Sequence, residues 1–88
     1  MKRFKIYTED KNQTAISELV GEFFDGFTVN AGLLGFWKGT SEASISIEII
    51  TDASYADAAI EVIAERIKVL NRQEAVLVTV EDISAKFI

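Results

Sequence analysis

Histidine and cysteine are absent from this chain, so the side chains able to do chemistry are carboxylates, lysines, arginines, tyrosines, serines and threonines. That removes Ser-His-Asp and Cys-His nucleophile systems, ordinary zinc sites, thiol chemistry and any disulfide framework. Glu42 and Glu48 are the carboxylates placed to lie near Trp37. Such a pair does general acid–base work when one member is desolvated, but their spacing does not impose that arrangement. No loop has EF-hand spacing. The segment Gly32-Leu33-Leu34-Gly35-Phe36-Trp37-Lys38-Gly39 invites a phosphate-loop reading. It matches neither GxGxxG nor GxxxxGK[ST], and it does not run from a strand straight into a helix. No catalytic residue, metal or cofactor is therefore assigned. The candidates for binding a ligand are Tyr7, Thr28, Asn30, Trp37, Lys38, Glu42 and Glu48, with Arg72 as an anion contact.

These groups sit in an 88-residue chain with 14 acidic and 9 basic side chains, a net charge of −5. The length has room for one domain over 1–88 and no second core. Hydrophobic residues make up 49% of the sequence, which is ample for a core and too many for a disordered chain. A general nucleic-acid binder neutralises phosphates with a basic surface, and this balance argues against one. The basic residues do gather once, at Lys2, Arg3 and Lys5. No run approaches 18 apolar residues, and MKRFKIYTED lacks the apolar stretch of a signal peptide. A soluble cytoplasmic protein is the expectation, without membrane contact.

The elements that must position the candidates are readable from period. Residues 3–8 alternate, with Phe4, Ile6 and Thr8 on one side and Arg3, Lys5 and Tyr7 on the other, which predicts a half-buried strand. From Gln13 the period lengthens: Ile16, Leu19, Val20, Phe23 and Phe24 form one helical stripe, capped by Asn12 or Thr14 and ended by Asp25-Gly26. Residues 27–29 read as a short strand, and 32–39 as a hairpin arm or bulged strand. Ile45, Ile47 and Ile49 then alternate with Ser44, Ser46 and Glu48. Ser54 with Asp57 resembles a capping box opening a helix to about Leu70, with Ala56, Ala59, Ile60, Ile63, Ile67 and Leu70 inward. Val76, Val78 and Val80 mark the last strand, and Phe87 and Ile88 in the tail are expected to dock.

Strand, helix, strand, strand, helix, strand packs most simply as an α+β fold, with two helices on one face of a four-stranded antiparallel sheet. This is the ferredoxin-like βαββαβ arrangement. Its other sheet face would be bare, showing Arg3, Lys5 and Tyr7 beside Ser44, Ser46 and Glu48, with Lys5 opposite Glu48 or Glu81 as a cross-strand salt bridge. Leu33, Leu34, Phe36 and Trp37 cannot all enter the core if their arm protrudes. A contiguous exposed apolar patch marks an interface, so these four are the expected surface of a homo-oligomer.

FDGFTV at 24–29, GFWKG at 35–39, Glu42 with Ser44, and NRQEAVLV at 71–78 together resemble a set of small uncharacterised bacterial and phage-encoded proteins. This chain departs from that set in its acidic first loop and in two extra leucines before GFWKG. The resemblance implies a phage or mobile-element setting and carries no chemistry. The leading expectation is a non-enzymatic binding protein holding a small polar ligand or a host protein at an intersubunit groove. In a phage setting it would be an anti-defence factor sequestering a nucleotide-like signal, although each phosphate of such a ligand needs a cation or an amide nest. The competing classes are an acidic inhibitor that mimics nucleic acid and a small cofactor-independent isomerase or lyase.

Overall fold

Alternation at the start of the chain becomes β1 (Lys2–Glu9), and the change of period at Gln13 becomes α1 (Gln13–Gly21). There follow β2 (Thr28–Trp37), β3 (Thr40–Thr51), α2 (Ala56–Asn71) and β4 (Leu77–Asp82). The computed structural model describes all 88 residues. The strands form one antiparallel sheet in the order β2-β3-β1-β4, which is the expected ferredoxin-like fold. No helix is long and apolar enough to cross a membrane.

The core lies between the sheet and the helices. Phe4 and Ile6 of β1 and Ile45, Ile47 and Ile49 of β3 meet Ile16 and Val20 of α1 and Ala59, Ile60, Ile63 and Ile67 of α2. The strand isoleucines suit a pleated, half-buried surface because their branched side chains pack well there. Fully burying one such side chain is worth about 1.5–3 kcal/mol. This single layer is therefore what holds the bare sheet face in place.

Several local expectations are corrected. α1 stops at Gly21 rather than at Asp25-Gly26, with Glu22 as its C-cap. Asn12 holds the N-cap position of α1 as expected, but its side chain makes no cap bond: it adopts a left-handed conformation and turns its side chain toward the end of α2. The Ser54–Asp57 capping box does not form. Tyr55 is the N-cap of α2 and makes no side-chain cap bond, while Asp57 serves the helix as a first-turn acid. Leu70, expected inward, is 40% exposed, and the buried residue of that last turn is Asn71. Val76 and Val78 pack against the core, but Val80 is exposed on the edge strand β4. The short strand and the separate arm are one strand, β2, kinked by a register shift between Asn30 and Leu33. The tail is held at its start, where Ile83 N–H donates to Met1 O at 2.9 Å, but Ile88 stands free.

Candidate functional site

The register places four of the candidates on the bare sheet face. Thr28, Glu48 and Lys5 lie abreast in one row, and Asn30, Ser46 and Tyr7 in the next. Asn30 Nδ2 donates to Ser46 Oγ at 3.3 Å, and Ser46 is buried beneath its neighbours. Lys5 lies opposite Glu48 as expected, but the salt bridge on this face belongs to Arg3, whose guanidinium reaches Glu81 Oε1 at 2.8 Å. The Arg3 hydrogen bond, then its charge, holds the Glu81 carboxyl below the ordinary carboxylate range. Glu48 is in no ion pair.

Trp37 and Lys38 are elsewhere. β2 and β3 run on past the end of β1 as a two-stranded arm, closed by the two-residue turn Lys38-Gly39. Both turn residues have positive φ, 50° and 80°, as mirror-image hairpin turns require if they are to follow strand twist. At the arm's root Gly32, with φ of 73°, absorbs the extra residue of the bulge. Six residues separate Trp37 from Asn30 within β2 (Thr28–Trp37), leaving the arm tip about 20 Å from the centre of the sheet face. Trp37 does not meet Glu42 or Glu48. Its Nε1–H donates to Glu74 Oε2 at 3.1 Å, and Lys38 Nζ reaches the same oxygen at 3.0 Å. Both contacts are exposed and hold the arm against the loop between α2 and β4. Replacing Glu74 with Gln should move Trp37 fluorescence, since this is the chain's one tryptophan, and lower stability by less than about 1 kcal/mol. Unchanged emission would show that the clasp does not hold in solution.

Glu42 lies at the arm's root beside Glu9. The Lys11 ammonium is 2.5 Å from Glu9 Oε2, an oxygen shut off from solvent. Bonding to Lys11, then to Glu42, holds the Glu9 carboxyl down, whereas contact with Glu9, then burial, pushes the Glu42 carboxyl up. A carboxyl raised on folding costs stability once pH exceeds its folded pKa. Glu42→Gln is therefore expected to raise the unfolding temperature at pH 7, and the gain should vanish as pH falls below the ordinary glutamate range. A gain of equal size at both pH values would rule out the Glu9–Glu42 contact as its cause.

Arg72 takes a left-handed φ of 54° at the C-cap of α2, with its side chain exposed. Its neighbours in the NRQE segment form a structural clasp. Asn71 Nδ2 donates to Thr8 Oγ1 at 3.0 Å, to Gln73 Oε1 at 3.1 Å and to Glu9 O at 3.4 Å, while Asn71 Oδ1 accepts from Asn12 at 3.0 Å. Thr8 also donates to Gln73 Oε1. The segment thus ties the end of α2 to the end of β1.

The open end of the sheet holds a groove of about 480 Å³. Thr28 and Glu48 line it, joined by residues not singled out from the sequence: Phe24, Asp25, Phe27, Ile50, Asp52, Tyr55 and Phe87. Phe24 and Tyr55 stack with ring centroids 5.7 Å apart, and the Tyr55 hydroxyl donates to Phe23 O at 2.9 Å. The sequence signal for this groove was FDGFTV at 24–29, which supplies five of its residues. Tyr55 and Asp52 carried no signal, because their neighbourhood read as a helix start. The structure therefore joins Thr28 and Glu48 in a groove, with Tyr7 and Asn30 beside it on the sheet. It sets Trp37 and Lys38 at the arm tip, Glu42 at the arm's root and Arg72 at the end of α2, outside the groove.

No protein-family model matches the chain, and no curated protein sequence does. Among solved structures the chain is similar to a nitrogen regulatory PII-like protein from Thiomonas intermedia K12, bound to ADP, AMP and bicarbonate. That likeness has a TM-score of 0.69 at 19% identity, over 99% of this chain and 94% of the other. A DUF3240 family protein from Shewanella baltica OS155 gives a TM-score of 0.75 at 13% identity, over 99% and 93% of the two chains. A phage SAM lyase in complex with S-methyl-5'-thioadenosine gives 0.63 at 13% identity, over 92% and 80%. These likenesses place the chain in the ferredoxin-like fold shared by PII-like proteins. At such identities they establish fold, and fold alone does not carry function.

Proposed function

We propose that this chain is a non-enzymatic binding protein that assembles with copies of itself and holds a small polar ligand at a groove between subunits. The observation that carries the reading is the arm. Leu33, Leu34, Phe36 and Trp37 are 37%, 70%, 68% and 49% exposed on one continuous projection, a surface that a second subunit would remove from water. Support for a ligand comes from the bare sheet face with Tyr7, Asn30, Thr28 and Glu48 together, and from two neighbours of the same fold that were solved with adenine-containing ligands. Arg3 and Lys5 lie on that same face, so an anion approaching it meets a basic strand. A phage or mobile-element setting, in which the ligand is a sequestered signal, belongs to the same reading. Native mass spectrometry of the full chain tests it, since one spectrum reports subunit count and co-purified ligand. The expected result is an oligomer carrying extra mass that is released unchanged on denaturation. A strict monomer overturns the intersubunit groove, and release of an altered molecule overturns the non-enzymatic role.

A further inference from the structure

The groove at the open end of the sheet differs in charge from the basic strand beside it, and that difference points to the ligand it takes. Its walls are aromatic: Phe24 lies at the bottom, stacked on Tyr55, while Tyr55 and Phe87 offer rings that are 52% and 80% exposed. Three carboxylates, Asp25, Glu48 and Asp52, share the lining, and no lysine or arginine does. None of the three is in an ion pair. A phosphorylated ligand entering here would meet three like charges, with no cation to offset its desolvation. A bare metal ion does not fit either, because no three of the chain's acidic side chains converge closely enough to hold one. What remains is a cation whose charge is carried on a carbon framework. Aromatic faces attract it through their quadrupoles, the carboxylates attract it by Coulomb force, and its apolar body fills the space between the rings.

We infer that this groove binds a small organic cation, an ammonium or sulfonium group joined to an apolar or aromatic body. The inference rests on the reading of the chain as a ligand binder but not on its assembly, because every wall of the groove comes from one chain.

The probe is phenyltrimethylammonium, titrated into the full chain by calorimetry and by ¹⁵N chemical shifts, with benzoate as the same ring carrying the opposite charge and inorganic phosphate as a plain anion. The expected result is saturable binding of the cation alone, with shifts centred on Phe24, Asp52 and Tyr55. Removing two charges in E48Q/D52N should weaken it by about tenfold or more, and added salt should weaken it further. If the double variant loses its native circular dichroism, the single change D52N at an exposed site serves instead, with a smaller loss in the same direction. Binding of benzoate or phosphate as tight as the cation overturns the inference. So does cation binding that neither variant alters, and so does the absence of saturable binding. A monomer that binds the cation supports this groove and removes the intersubunit reading, whereas an oligomer that ignores the cation does the reverse.

Discussion

Replacing Asn71 with leucine is expected to lower the unfolding free energy by about 2–4 kcal/mol, the largest loss foreseen for a residue outside the apolar core. Asn71 is 3% exposed and donates to Thr8, Gln73 and Glu9 O while accepting from Asn12. Leucine has a similar volume, so the change tests the hydrogen bonds and not a cavity. It leaves the Asn12 amide and the Glu9 carbonyl without this partner beneath the end of α2. The penalty for such stranding exceeds the net worth of the bonds themselves. Urea unfolding monitored by circular dichroism measures it. A double-mutant cycle with Thr8→Val should show coupling of about 1 kcal/mol, because the two side chains share one network. A leucine variant within 0.5 kcal/mol of wild type, inside the usual scatter of surface substitutions, would show that the cluster adds no stability.

The same network explains why some of this molecule was legible in its sequence and some was not. The strands were readable because a sheet covered on one face imposes a period of two, and Ile45, Ile47 and Ile49 alternate with polar residues without a break up to Ile50. The inward stripe of α2 was readable at Ala59, Ile60, Ile63 and Ile67 for the equivalent reason. Helix ends were not. A cap read from sequence assumes a local partner, and here Asn12 bonds to a residue 59 positions away. NRQE read as a turn, and nothing local shows that its asparagine is buried while its glutamate holds the arm through Trp37 and Lys38. Lys5 and Arg3 show the finer limit. Strand pairing put Lys5 opposite Glu48 correctly, yet the register of β4 sets Glu81 opposite Arg3 and Thr79 opposite Lys5.

The candidate site divides along the same line. Thr28, Asn30, Glu48 and Tyr7 share a face because alternation places them there, whatever the loops do. The groove beside them is assembled from the α1–β2 loop, the turn before α2 and the C-terminal tail, three segments with no period to read. Net charge behaves likewise. The sequence total of −5 conceals a sheet face that carries Arg3 and Lys5 and, at one end, a groove whose charged residues are all acids. Ligands of opposite sign would therefore be sorted over a few ångströms of one surface.

The arm provides the second large effect. For the self-association proposed above, changing Leu34 and Phe36 together to serine should raise the subunit dissociation constant at least a hundredfold while leaving the unfolding of the single chain nearly unchanged. Both side chains lie on the same side of the arm, two residues apart on β2, and are 70% and 68% exposed. A monomer loses little when exposed side chains are altered, within about 0.5 kcal/mol in each case. An interface that buries them loses about 1.5–3 kcal/mol for each, and the sum exceeds the roughly 2.7 kcal/mol that a hundredfold weakening represents. Trp37 is the less informative choice, because its indole also bonds Glu74 and its loss would free the arm as well as strip the interface. Sedimentation equilibrium, run with circular dichroism on the same samples, separates the outcomes. Smaller species with an intact spectrum place the interface on the arm. An unchanged mass distribution moves it to the sheet face, where Tyr7 and Leu77 lie side by side across β1 and β4. A collapsed spectrum would mean that Leu34 and Phe36 support the fold itself, and the arm would then be no docking surface.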